Sequence, residues 1–120
     1  MSSEMEQLKE LGIDTEEGLA CCADDEEFYL EMIEEYVREG KERYGNLEAC
    51  FAQQDWKNYS IHAHSLKSTS RMIGAASLSE LSRELEFASR EGDEEKVRSL
   101  HDEMMRSYEA LLGNLEGIVP

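Results

Sequence analysis

Near the C-terminus, Val97, Leu100, Met104, Tyr108, Leu111, Leu115 and Ile118 follow one another in steps of three and four residues. A helix turns by about 100° per residue, so this spacing gathers all seven side chains on one face and leaves the other to charged groups. Such a stripe is stable only when another element covers it. One proline in 120 residues, with eight glycines, lets the rest of the chain follow the same rule: long helices joined by short turns, rather than a sandwich or barrel. At 120 residues the chain is long enough to close one core.

Punctuation divides the chain accordingly. Asp14 is placed to cap a short helix over residues 15–22, with acidic residues in its first turn. Asp24 or Asp25 caps a longer one whose stripe includes Phe28 or Tyr29, Ile33, Val37, Tyr44, Leu47 and Phe51. Gly40 lies in that stripe, where a missing side chain lets a neighbouring helix approach, and Gly45 is a candidate break. Asp55 caps a helix from Trp56 to Ile73 that Gly74 terminates. Ser77 is expected to cap the next, with Leu78, Leu81, Leu85 and Ala88 inward and Gly92 at its end, and Asp93 opens the last. The expectation is all-α: an antiparallel four-helix bundle with a short additional N-terminal helix, folded as one domain over residues 1–120.

Twelve basic against 28 acidic residues give a net charge of −16, which argues against binding nucleic acid or anionic membranes. The imbalance is uneven. Residues 57–90 hold five basic groups (Lys57, Lys67, Arg71, Arg83, Arg90) and three acidic ones (Glu80, Glu84, Glu86), a locally basic island where an acidic partner or a phosphoryl group is tolerated. Cys21, Cys22 and Cys50 form neither an even disulfide framework nor a zinc-site spacing, which fits reduced thiols in a cytoplasmic protein. The opening MSSEMEQLKE lacks an apolar core, and no stretch approaches 18 apolar residues, so the chain reads as neither exported nor membrane-spanning.

Chemistry concentrates on the helix from Trp56 to Ile73. With His64 at zero on the wheel, Lys67, Ser68, Arg71 and Ser60 all fall within about 60°, while Leu66 and Ile73 lie opposite. His64 therefore faces solvent in a polar stripe. His62 falls on the core side, so the two histidines cannot grip one metal, and both His62 and His101 read as packed, hydrogen-bonded residues. An imidazole nitrogen is a competent nucleophile toward phosphorus near neutral pH, and a lysine one turn away supplies charge where phosphoryl oxygens would lie. Ser60, Ser68 and Arg71 add donors. Phosphoryl transfer asks mainly for positioning and electrostatic stabilisation, so a sparse site suffices. No glycine-rich phosphate cradle occurs, so the histidine would have to be phosphorylated by something else.

The run His64-Ser65-Leu66-Lys67-Ser68-Thr69-Ser70-Arg71-Met72-Ile73-Gly74-Ala75 resembles the signature of histidine-containing phosphotransfer (HPt) domains, His-x-Leu-Lys-Gly with Gly-Ala after a further five residues. The likeness continues through Leu78, Leu85-Glu86 and Gly92-Asp93, and upstream through Gly12-Ile13-Asp14, the Phe28-Tyr29 region and Asp55. It implies a phosphorelay intermediate. His64 accepts a phosphoryl group from the phospho-aspartate of one receiver domain and passes it to another, and Lys67 matches the lysine beside the phosphohistidine. The implied partners are receiver domains of response regulators or hybrid histidine kinases. The carrier has no ATP site, cofactor or metal of its own, since magnesium belongs to the receiver. Ser68 departs from the pattern, standing where the family usually has the glycine that leaves room for the incoming receiver. Arg83, Glu86 and Arg90 are expected opposite Leu81 on the next helix, lining the docking surface with Ser60, Ser68 and Arg71. A monomer fits this role. The competing readings are an adaptor that binds receivers without being phosphorylated, and a helical hydrolase or metal protein using His62, His64 and His101 with carboxylates.

Overall fold

The computed structural model describes residues 3–119, which form six helices and no strand: α1 (Ser3–Glu10), α2 (Thr15–Cys21), α3 (Glu26–Ala52), α4 (Trp56–Ile73), α5 (Ala76–Glu91) and α6 (Glu94–Glu116). The four long helices pack in cyclic order, each against the next and α6 back against α3. Short connections make successive helices antiparallel. The all-α bundle read from the sequence is the architecture found, with one addition: two short helices, α1 and α2, precede it rather than one. Met5 and Leu8 of α1 are buried, a pair too short a stripe to signal a helix from sequence.

Aspartates set four of the helix starts. Asp14, Asp25, Asp55 and Asp93 each accept a hydrogen bond from the backbone amide three residues on, at 3.1 to 3.3 Å. Helix α5 differs from expectation, because it begins one residue before Ser77, and Ala75 precedes it without a side-chain cap. Continuity of α3 through Gly45 is a second correction: the position is exposed and nothing crowds it, so the glycine weakens the helix without breaking it. Tyr29, fully buried, is the inward aromatic at the start of α3, and Phe28 points out.

Two glycines carry close approaches. At Gly40 an added Cβ would lie 2.4 Å from the Leu112 side chain, so α3 and α6 meet where the side chain is missing. Gly74 has φ of +90°, and its Cβ would collide with the Asp14 carbonyl oxygen at 2.2 Å. Asp14 N–H donates to the Gly74 carbonyl at 2.9 Å, and the Tyr29 hydroxyl donates to the Ile73 carbonyl at 2.7 Å. The end of α4 is thereby tied to the residue that caps α2 and to the first turn of α3.

At the other end of α4, His101 is buried, stacked on Phe51 at 3.8 Å, with Nδ1 2.8 Å from the Tyr59 hydroxyl. It is packed and hydrogen-bonded as expected. No helix among the described residues is long and apolar enough to cross a membrane.

Gly74→Ala is expected to cost about 2 kcal/mol or more, since it combines left-handed strain with a backbone collision. Gly45→Ala, at an exposed helical site, should stabilise by about 0.5–1 kcal/mol; urea unfolding of the two variants reads both. Burial holds the His101 imidazole below its ordinary value of 6.5, against the opposing charges of Asp102 and Glu48. Its unfolded form takes up a proton that the folded one resists, so stability falls as pH drops from the ordinary value toward the lowered one. His101→Gln should lose less stability than the wild type over that window.

Candidate functional site

Helix α4 turns its polar stripe toward α5, its most extensive neighbour. The side of α5 that meets it carries small residues: Ser79, Ser82 and Ser89 are buried, and Ser79 Oγ donates to the Lys67 carbonyl at 2.9 Å. Ser82 and Ser89 satisfy their hydroxyls on carbonyls of their own helix, at 2.8 and 2.7 Å. Their size lets the two helices run close, and Glu86, in the same row, reaches the side chains of α4.

His64 is where the wheel places it, with 55% of its side chain exposed. Its Nδ1 lies 2.8 Å from Glu86 Oε2, and Glu86 is almost wholly buried, with 2% of its side chain accessible. Lys67 Nζ stands 2.9 Å from Glu86 Oε1, an ion pair without the alignment of a hydrogen bond at that oxygen. Arg90 donates to Glu86 Oε2 from one turn further along α5. One buried carboxylate therefore gathers a histidine, a lysine and an arginine. Burial pushes the Glu86 carboxyl up, but the hydrogen bond from His64 and the close positive charges of Lys67 and His64 prevail and hold it below the ordinary carboxylate value.

An ionised carboxylate only accepts hydrogen bonds, so the nitrogen facing it must carry the proton. In the neutral ring this fixes the tautomer: Nδ1–H donates to Glu86, and Nε2 keeps its lone pair on the exposed side. That arrangement presents a nucleophilic nitrogen to solvent with its ring held from behind. Lys67 lies beside it with a quarter of its side chain exposed.

Among the residues expected around His64, the structure brings Lys67, Glu86 and Arg90 together directly. Ser68, half-buried, and the exposed Arg71 and Arg83 line an open cavity of ≈ 560 Å³ next to Lys67, with Glu17 and Glu80 on its rim. Among the described residues the Ser68 hydroxyl has no hydrogen-bond partner, unlike those of Ser60 and Thr69 on the same helix. Two placements are corrected. Ser60, expected on the docking surface, is buried, and its hydroxyl donates to the Lys57 carbonyl at 2.7 Å. Glu86, expected on an outward face opposite Leu81, is buried against α4 because the serines extend the inward arc of α5 beyond its leucines. His62 is also less buried than expected: it is half-exposed in a groove beside Glu39, Glu42 and Arg43.

Sequence reasoning missed the role of Glu86, and a signal for it existed. Ser79, Ser82, Glu86 and Ser89 recur at three- and four-residue steps, a buried stripe written in small polar residues. It also missed three exposed apolar side chains near His64. Ile61 lies one turn before it and Met72 two turns after it, and Phe87 on α5 sits between the guanidinium groups of Arg83 and Arg90 at 5.0 and 6.0 Å. His62, His64 and His101 do not converge, and among the described residues no three of His, Cys, Asp and Glu are grouped to hold a metal.

The family model of the Hpt domain matches residues 31–115. Among curated proteins, the phosphorelay intermediate protein rdeA of Dictyostelium discoideum is 26% identical over 85 residues, which is 71% of this chain and 34% of that protein. The chain thus spans about a third of the length of this relative. No solved structure matches with significance. A family match over most of the long helices, on a helical bundle with an exposed histidine in the signature position, shows that this chain belongs to the Hpt domain family.

Proposed function

We propose that this chain is a phosphocarrier of a multistep phosphorelay, holding a phosphoryl group on Nε2 of His64 between two receiver domains. One observation carries the reading: the His64 ring donates from Nδ1 to buried Glu86 and turns its other nitrogen outward beside Lys67. In the forward step the Nε2 lone pair forms a bond to phosphorus. The phosphorus–oxygen bond to the receiver aspartate breaks, and its electron pair leaves on that carboxylate. Lys67 is close enough to place its charge against the equatorial phosphoryl oxygens, where charge accumulates during transfer. Return to a second aspartate reverses these bonds. The chain supplies the nucleophile and the electrostatics, and the receiver supplies magnesium; no ATP, cofactor or metal of the carrier's own enters the step.

The partner is a receiver domain of a response regulator or hybrid histidine kinase, an acidic phosphorylation pocket that suits a basic island on an otherwise acidic protein. Docking falls to the exposed rim around His64: Ser68, Arg71, Arg83 and Arg90, joined by the apolar Ile61, Met72 and Phe87. A monomer in the cytoplasm fits that use. The adaptor reading is disfavoured by the same geometry, since receiver binding alone does not need a ring locked with its free nitrogen outward.

Mixing the chain with a radiolabelled phospho-receiver and magnesium, then denaturing it, should give an acid-labile, base-stable label on the wild type. The same assay on His64→Ala should give none, with helicity unchanged because the side chain is outside the core. Label on the alanine variant would refute the assignment, and no label on wild type from a broad receiver panel would favour the adaptor. Lys67→Ala should transfer roughly 10- to 100-fold more slowly.

A further inference from the structure

The carboxylate behind His64 has a consequence for the phosphorylated ring that orientation alone does not cover. When Nε2 of the neutral ring attacks phosphorus, the proton on Nδ1 stays and the ring gains a unit of positive charge. If that proton is later lost, the ring must leave as an anion when the phosphoryl group departs, which is a poor leaving group. With the proton kept, it leaves as neutral imidazole. The state of Nδ1 thus decides whether the phosphoryl group is held or handed on.

We infer that Glu86 is a positioning residue that retains the Nδ1 proton of His64 through the whole cycle, so that the phosphorylated ring remains a cation and gives up its phosphoryl group over a wide pH range. This rests on the carrier reading above. Its support is geometric: a side chain with 2% exposure places Oε2 2.8 Å from Nδ1, wedged between α4 and α5 where water cannot take its place. The charged groups facing the pair are Lys67 from α4 and Arg90 from α5, both on the same carboxylate, and no carboxylate of α3 is within ion-pair reach of His64 among the described residues. The two cations keep Glu86 ionised. They also oppose the charge on the ring, but the phosphoryl group, negative and on the solvent side, draws them outward and itself favours the protonated ring. A carboxamide of the same shape would still accept from Nδ1–H and hold the ring in place, but would lack the charge that resists deprotonation.

The test separates charge from position. The full chain and Glu86→Gln are phosphorylated with phosphoramidate, the label is mapped to His64, and loss of the phosphoryl group to water is followed by ³¹P NMR from about pH 6 to 10. Urea unfolding confirms that the variant is folded. The variant's rate is expected to decline at a pH about one unit or more below that of the wild type, a difference in the protonated fraction that approaches about tenfold above both midpoints. Ring ¹⁵N shifts of the phosphorylated proteins should show Nδ1 protonated in the wild type at pH values where the variant has lost it. Superimposable pH profiles and equal ¹⁵N titrations, with both proteins labelled on His64, would overturn the inference and leave the carrier reading standing. Failure of wild type to take label on His64 from either phosphoramidate or a phospho-receiver would remove both. A misfolded Gln variant leaves the ¹⁵N titration of wild-type phosphohistidine to decide, since a ring that deprotonates as a free phosphohistidine does contradicts the proposal directly.

Discussion

A single buried carboxylate organises the candidate site, which lies midway along α4. Glu86 is inaccessible to water, and a lone ion in that position would be severely unfavourable. His64, Lys67 and Arg90 offset the cost by converging on its two oxygens. Each pays for the arrangement with some freedom, and the functional gain is that an exposed imidazole acquires one tautomer and one orientation. A surface histidine without such a partner would rotate and present either nitrogen.

That constellation depends on how closely α4 and α5 approach. The serines on the facing side of α5 leave room for the helices to run near one another, and Ser79 bonds directly to the backbone of α4 at Lys67. A leucine seam would fill the gap and hold the Glu86 carboxylate away from the histidine. The sharp turn at Gly74 sets the antiparallel relation of the two helices, and the positive φ there is anchored by the Asp14 and Tyr29 contacts to the chain's N-terminal segments. The cap of α2 and the first turn of α3 therefore bear on the site, although they contribute no group to His64.

Much of this was legible in the chain itself, for identifiable reasons. Aspartates at four helix starts and glycines at Gly74 and Gly92 act within a turn of their own position, so local reading located them. The stripe of α6 and the outward direction of His64 follow from helical periodicity alone. Ser77 and Gly45 misled because a residue's tendency to cap or interrupt a helix is weak beside the packing that extends it: α5 starts earlier, under Ala75, and α3 runs straight on. Ser60 and Glu86 misled in another way. A wheel weighted by hydrophobicity treats serine as polar, whereas serines that bond to nearby carbonyls are at home in a tight helix seam.

Residue order alone specifies the helices, most of their inward faces, the acidic surface with its basic island, and an outward-facing histidine in the middle of α4, because each depends on residues within a few turns of one another. Only the tertiary structure decided which nitrogen of His64 is free. The proton on Nδ1 answers to a carboxylate 22 residues away on another helix, and its place there is set by the distance between two backbones, which no periodicity within either helix encodes.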